Sequence, residues 1–229
     1  MEDAYVITIG NEILKGRTVN TNAAFIGNFL TLSGYRVRRS LVVMDDLDEI
    51  AWAFKLAMEN ASLVVSSGGL GPTFDDMTLE GFVRATGQKL VLDDSALSMI
   101  REKYGNIELT KERIKMATIP EGSEPVPNPV GTAPGIYYEK DEKKVIILPG
   151  VPSEMQAILE TLKTRIRQKD VHYWDESVEV TGIMESAFAP VVASLMKKYP
   201  DVYIKSHPKN IDPLLRSFSD ASFENFKAP

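Results

Sequence analysis

Cysteine is absent from this chain of 229 residues. Disulfides, thiolate zinc sites, iron–sulfur clusters and thiol nucleophiles are excluded with it. Histidine is almost absent: His172 and His207 are the only two. A histidine-rich zinc site or a serine–histidine triad has little to draw on. No apolar run approaches the ~18 residues of a membrane span. The start, MEDAYVITIGNE, lacks the basic segment and the apolar core of a signal peptide. The expectation is a cytoplasmic protein with no membrane partner. Positive charge is short too: 26 Lys and Arg against 32 Asp and Glu leave a net charge of −6. No broad basic surface drives phosphate-backbone binding, so nucleic acid is not an expected partner. The basic cluster Arg36, Arg38 and Arg39 reads as the outward face of a strand.

Apolar residues are plentiful, at 44%, enough to build a core for one large α/β domain and a small appendage. Ala4–Gly10 reads as a buried strand ending in glycine. Residues 21–34 follow with helical spacing: Phe25, Phe29 and Leu32 share a face, Ile26 and Leu30 stand beside it, and Gly34 stops the helix. Tyr35–Val43 is the next strand. Leu47, Ile50, Ala51, Phe54, Ala57 and Met58 mark an amphipathic helix. Ser62–Ser67 is a third strand. This β-α-β-α-β order predicts a three-layer α/β fold around a mostly parallel sheet. Residues 135–139 and 144–150 flank a polar turn and read as a hairpin, which adds an antiparallel strand. A helix through Met155, Ile158, Leu159, Leu162 and Ile166 follows, with Ser153 and Gln156 spaced as a capping box. Between them, Ile119–Gly135 holds five prolines and three glycines, a composition that predicts an irregular functional loop. The division is a main domain over 1–168 and a small α+β unit over 169–229. In that unit 177–183 and 201–207 read as short strands around a helix over 188–198, and 211–229 as a short helix or loose tail.

The turn GGLGPTFDD, Gly68–Asp76, leaves the third strand at the edge where parallel sheets bind ligands. Glycines let backbone approach a ligand, and a following helix start favours anions. Gly68, Gly69 and Gly71 are the candidate cradle for a phosphate or diphosphate. Asp75 and Asp76 either sit at the helix start, with Thr73 as its N-cap, or hold a divalent cation beside the phosphate. Oxygen ligands point to an ion such as Mg, Mn or Co rather than zinc. Glu12 and Asp45 follow the first two strands and belong to the same edge, so the candidate metal set is Glu12, Asp45, Asp75 and Asp76.

These residues resemble the MoaB/Mog molybdopterin-binding domain, and more closely its CinA-type branch. The resemblance rests on GNEILKG (Gly10–Gly16), VNTNA (Val19–Ala23), GGLGPTFDD, NPVGTAPG (Asn128–Gly135) and LPGVPSE (Leu148–Glu154), in that order. It implies a MogA-like α/β/α fold with one antiparallel strand, and a homo-oligomer, dimer or trimer. It assigns Asp76 to adenylyl transfer to molybdopterin in the wider family. In the CinA-type branch it implies metal-dependent hydrolysis of ADP-ribose to AMP and ribose 5-phosphate. The first acidic motif, GDE in the family, reads Gly10-Asn11-Glu12 here. No stretch of this chain matches the nicotinamide-mononucleotide deamidase domain of bacterial members.

Two functions are therefore expected. One is a metal-dependent pyrophosphatase acting on ADP-ribose or a related nucleotide diphosphate, with Asp75 and Asp76 as catalytic acids. The other is a molybdopterin- or nucleotide-binding protein with little turnover. In the first, Asn20, Asn22 and Thr132 contact ribose or phosphate. Gly150 and Ser153 bind phosphate at the last helix N-terminus, unless Ser153 only caps that helix.

Overall fold

The computed structural model describes residues 1–169, 171 and 176–207. The chain divides into two units, Met1–Trp174 and Asp175–Pro229. The first unit opens with β1 (Asp3–Ile9), α1 (Asn11–Leu14), α2 (Thr21–Leu32), β2 (Arg36–Val43), α3 (Leu47–Asn60) and β3 (Leu63–Ser67). Then come α4 (Thr78–Thr86), β4 (Leu90–Leu92), α5 (Asp94–Tyr104), α6 (Lys111–Lys115), β5 (Thr118–Pro120) and β6 (Glu124–Val126). It closes with β7 (Gly135–Lys140), β8 (Lys143–Leu148), α7 (Pro152–Thr161) and α8 (Lys163–Ile166). The described part of the second unit holds α9 (Glu185–Lys198).

Six strands form one sheet in the order β2-β1-β3-β8-β7-β6. The pairs β1–β2, β1–β3 and β3–β8 are parallel, and β7 runs antiparallel to both neighbours. The expected single antiparallel strand is therefore β7. Central strands are buried on both faces, as parallel strands must be, and successive residues serve opposite cores. Tyr5, Ile7, Val64 and Ile147 pack with Ile50, Phe54, Phe82 and Ile100 of α3, α4 and α5. Val6, Leu63, Val65 and Ile146 pack with Ile26, Leu30, Met155 and Ile158 of α2 and α7. These are the three layers. Phe54, Phe82 and Tyr138 link the first core through edge-on ring contacts at 5.2 Å each.

Arg36, Arg38 and Arg39 are exposed on β2. Arg38 has no partner in the β1–β2 register, which jumps between Val37 and Arg39. That bulge explains how consecutive arginines both reach solvent.

Several expectations need correction. Leu32 is exposed and Asn22 is buried on α2, because the inward face is set by Ile26 and Leu30. The stretch 119–135 is not wholly irregular: β5 ends in it and β6 lies within it. Pro125 is tolerated because β6 is an edge strand paired only with β7 and needs no donor on its open side. The capping box at Ser153 does not form. Val151 is the N-cap of α7, without a side-chain bond, and Pro152 takes the first turn. Residues 177–183 and 201–207 form no strands, although α9 covers the expected helix. The stretch 211–229 lies outside the described residues.

The first unit closes on itself at its end. Tyr35 Oη donates to the Ile166 carbonyl at 2.8 Å, and the Gln168 amide donates to the Ser33 carbonyl at 2.9 Å. A chain ending at Trp174 is expected to melt in one cooperative transition and to keep its ligand affinity within about 3-fold. Calorimetry with and without ligand checks both. A folded fragment that no longer binds would place the second unit in the site.

Candidate functional site

The ends of β1, β2, β3 and β8 meet at one edge of the sheet, and the turns that leave them are knitted together. The Gly10 amide donates to the Val43 carbonyl at 3.1 Å, and the Gly68 amide donates to the Leu148 carbonyl at 3.0 Å. The Asn11 amide donates to Asp45 Oδ2 at 2.8 Å. Asn22 Nδ2 reaches from α2 to the Gly150 carbonyl at 2.8 Å. A Cβ on Gly150 would come within 3.5 Å of the Gly68 Cα. The four strand exits thus form one floor.

Gly68 and Gly69 have φ of 111° and 67°, which favours glycine at both. The Gly68 carbonyl accepts from Thr78 Oγ1 at 2.8 Å, and the Thr78 amide donates to the Gly69 carbonyl at 3.2 Å. Thr78, the first residue of α4, is fully buried and locks the turn from below. The Gly68 N–H is therefore spent on β8 and is not a ligand contact, which corrects its expected role. The amides of Gly69 and Gly71 have no partner among the described residues, so the cradle narrows to these two.

Thr73 is not a helix cap. The N-cap of α4 is Met77, with no side-chain bond. Thr73 instead organises the outer loop. Its amide donates to Asp76 Oδ2 at 2.9 Å, and its hydroxyl lies 2.5 Å from both Asp75 Oδ1 and Asp76 Oδ2. A Cβ on Gly71 would fall 2.5 Å from Asp76 Oδ2. The Asp76 carboxylate therefore fills the inside of its own loop. From α6, Lys115 Nζ donates to the Asp76 carbonyl at 2.5 Å and the Thr73 carbonyl at 3.2 Å, and pairs with Glu80 at 3.5 Å. Sequence reasoning missed Lys115: nothing in the glycine motif announces a clamp 39 residues downstream. The loop's tip, Phe74, is 90% exposed.

The four candidate metal ligands do not gather. Among the described residues no three His, Cys, Asp or Glu side chains stand together as a metal centre. Asp76 is turned into its loop, and Glu12 folds back over Gly10, where a Cβ would lie 2.7 Å from its Oε1. Glu12, Asp45, Asp75 and Asp76 therefore do not fit a preformed cation site. Asp45 and Asp75 are shifted in opposite directions. Burial pushes the Asp45 carboxyl above the usual carboxylate range; the charges of Glu12 and Asp75 push the same way, against the Asn11 N–H bond. The Thr73 hydroxyl holds Asp75 below that range.

A raised carboxyl pKa contributes stability at low pH that is lost as pH climbs through the folded value. Asp45→Asn keeps an acceptor for Asn11 and removes the charge. Its Tm near neutrality is expected to exceed the wild type's by roughly 1–2 °C, solvent screening included. The difference should vanish at about pH 3, where Asp45 is protonated in folded and unfolded chains alike. Melting curves at the two pH values check this.

The remaining candidates divide. Asn20 caps α2 by accepting from the Ala23 amide at 3.0 Å, and its Nδ2 donates to Thr8 Oγ1 at 3.1 Å. Both ends of Asn20 are engaged in structure. Asn22 keeps a buried Oδ1 without a partner among the described residues, an acceptor suited to a ligand hydroxyl or N–H but not to phosphate oxygen. Ser153 is exposed in the first turn of α7 and makes no cap bond, so its hydroxyl and the helix N-terminus are open. Thr132 rides on a loop fastened by Asn128. That side chain accepts from the amides of Val130 and Gly131 at 3.1 and 2.8 Å, and donates to Glu154 Oε2 at 2.7 Å. Gly131 lies flush on the Glu154 carboxylate, 2.1 Å from where its Cβ would be. The motifs NPVGTAPG and LPGVPSE are thereby one assembly, a pairing their separation in sequence hides. At the opposite edge, where β8 begins, Lys55, Lys140 and Lys143 line a depression of about 330 Å³.

Among the described residues no helix is long and apolar enough to cross a membrane. The family model described as "Probable molybdopterin binding domain" matches residues 5–168. A protein of Thermoplasma acidophilum is 61% identical over 212 residues, 93% of this chain and 83% of that one. A Thermoplasma acidophilum protein named CinA has a crystal structure that is 65% identical, with a TM-score of 0.70, covering 72% of this chain and 98% of that one. The molybdopterin biosynthesis Mog protein of Mycobacterium ulcerans shares the fold at 19% identity and a TM-score of 0.50, over 72% of this chain and 93% of that one. With the expected motifs joined at one sheet edge and these likenesses across the first unit, the chain belongs to the MoaB/Mog molybdopterin-binding domain family, in its CinA-type branch.

Proposed function

We propose that this edge binds a small phosphate-bearing ligand, a pterin or a nucleotide, with molybdopterin as the first candidate. The observation that carries the reading is the glycine turn. The amides of Gly69 and Gly71 are left unpaired on a backbone pinned by β8, Thr78, Asp76 and Lys115. Unpaired amides held in place pay little reorganisation to meet an anion. The uncapped start of α7, with Gly150 against Gly68, supplies a second anion-favouring point on the same floor. Asn22 Oδ1 then takes a ligand hydroxyl or N–H, and Thr132 and Ser153 stand at the rim. Calorimetric titration with molybdopterin tests this, with saturable binding at one site per chain as the expected result. An absence of binding to molybdopterin, AMP and ADP-ribose alike would contradict it.

Hydrolysis of ADP-ribose is a second reading, favoured by the acidic surroundings of Asp45, whose repulsion from Glu12 and Asp75 a cation arriving with a diphosphate would relieve. It stands behind the first because the carboxylates do not form a centre of their own. Incubation with ADP-ribose and Mg²⁺, Mn²⁺ or Co²⁺ decides it. Formation of AMP and ribose 5-phosphate would make the chain an enzyme of this type, with Asp75 and Asp76 as the acids to substitute. Assembly into dimers or trimers accompanies both readings as an expectation of the family likeness, and sedimentation tests it; a cytoplasmic location accompanies them as an expectation from the sequence's lack of a signal peptide or membrane span.

A further inference from the structure

The tip of the glycine loop presents an apolar knob, and the wall behind the loop holds an apolar hole. The knob is Phe74, 90% exposed. It is held in that position. Thr73 Oγ1 lies 2.5 Å from the carboxylates of Asp75 and Asp76, and Lys115 donates to the Thr73 and Asp76 carbonyls on either side of the ring. An aromatic ring kept in water on a fixed loop loses little freedom when a partner covers it, which is the character of an interface anchor. The hole is a cavity of about 300 Å³. Leu70, Leu79, Leu90, Ile114 and Met116 make its apolar walls, and Glu80, Lys111 and Lys115 stand among them. A dry apolar cavity of about 150 Å³ already holds a benzene ring, so this one has room for a phenyl group. Apolar surface continues beside it: Ile114 is 36% exposed, and Leu92, on the same face of β4 as Leu90, is 52% exposed.

Phe74 lies in water and so leaves the hole of its own chain unfilled. Yet Gly71 and Asp76, which flank the knob in sequence, are walls of that hole. Knob and hole are neighbours on one stretch of surface, an arrangement that a two-fold pair of identical surfaces uses twice. Charge is disposed the same way. Asp75 is exposed beside the knob, Lys111 is exposed beside the hole, and among the described residues neither makes an ion pair. We propose that this surface joins two copies of the chain, with Phe74 of each seated in the apolar cavity of the other and Asp75 of each facing Lys111 of the other. The inference goes beyond the expectation of a homo-oligomer by naming the surface, and it stands independently of the phosphate reading. Gly69 and Gly71 are walls of the same cavity, so each copy shields the back of the other's glycine turn from water.

Two phenyl rings and their surroundings cover less than a standard interface, so the pair is expected to dissociate in the range of about 10–100 µM. Sedimentation velocity of the full chain, up to about 300 µM, tests this. The wild type is expected to pass from one copy to two as concentration rises. Phe74→Ala removes the knob, and Ile114→Trp and Thr118→Trp fill the hole from α6 and from β5 independently. Each is expected to weaken association by about 10-fold or more, with a melting curve of each variant showing that it is folded. Cross-linking then tests the geometry. The chain has no cysteine, so a mixture of Asp75→Cys and Lys111→Cys chains forms disulfides only between introduced thiols. The mixed disulfide is expected to form about 10-fold or more faster than when both chains also carry Phe74→Ala. A single copy throughout the concentration range would overturn the proposal. So would association left unchanged by Phe74→Ala or by a folded hole-filling variant, or a mixed disulfide that forms as fast without the phenyl ring.

Discussion

Gly68→Ala is expected to lower the melting temperature by about 6–20 °C, the largest effect of any single methyl group in this molecule. The methyl would sit 2.1 Å from the carbonyl oxygen of Ile9, well inside contact distance, on a residue whose φ is 111°. Neither partner can yield. Ile9 ends β1 in register with Val43 of β2. Gly68 is bonded to Leu148 through its amide and to Thr78 through its carbonyl, at 3.0 and 2.8 Å. A shift at Gly68 therefore moves the exits of β1, β3 and β8 together. The left-handed conformation alone costs about 1–2 kcal/mol, and displacing strand ends brings the total to roughly 3–5 kcal/mol. Gly16→Ala is the control. Its φ is also positive, at 68°, but nothing lies within 4 Å of the added carbon. It should cost only about 1–2 kcal/mol. Thermal melts of the two variants separate steric closure at the floor from backbone preference. Equal losses would mean that the strand exits are not packed as described.

The second large effect is on binding. Asp76→Ala is expected to weaken pyrophosphate by about 10-fold or more, whereas Asp76→Asn should bind it at least as well as the wild type. The Asp76 carboxylate accepts from the Thr73 amide and hydroxyl at 2.9 and 2.5 Å and occupies the hollow that Gly71 leaves. Alanine removes that fastening and frees the loop, so the Gly71 amide loses its fixed direction. Asparagine keeps an acceptor of the same shape and removes a negative charge from beside an anion site. A role for Asp76 confined to charge predicts that both variants lose, to a similar extent, any step that uses a cation. The pair of variants therefore distinguishes a fastener from a ligand. Similar affinities for the alanine and asparagine variants would show that the loop does not need Asp76 to hold its form.

The layers of the fold were legible because apolar periodicity and burial share a cause. Five- to seven-residue apolar runs can satisfy two helical layers only as central strands, and β1, β3 and β8 lie where those runs stand. Elements poor in apolar residues or very short were not legible. α5 and α6 lie in a charged stretch, and β4 and β5 are three residues long and, among the described residues, pair only with each other. Proline content misled at Pro125 because it reports a missing donor and says nothing about whether an edge strand needs one. The acidic turn misled differently. Asp75 and Asp76 look like a helix start, yet α4 begins at Thr78, and the two carboxylates serve Thr73 instead.

Much of the candidate site could be named from sequence, since glycine clusters at strand exits mark close backbone approach whatever the ligand. Which amides are free could not be named. Gly68 and Gly69 are adjacent and alike in sequence, and only the sheet shows that the first is bonded to Leu148. Lys115 was invisible as a site residue for a related reason: it acts on the distant Thr73 and Asp76 carbonyls, so local pattern carries no trace of it. Glu154 stands in the motif LPGVPSE, but its bond from Asn128 on a distant loop does not show in that motif.

Amide chemical shifts of the ¹⁵N-labelled full chain, followed during titration with molybdopterin, test the central claim most directly. The predicted result is a saturable set of shifts at Gly69, Gly71, Gly150 and Ser153, with the amides of Lys55, Lys140 and Lys143 at the opposite edge unmoved. Shifts confined to that basic edge, or none at the glycine turn at saturation, would contradict it.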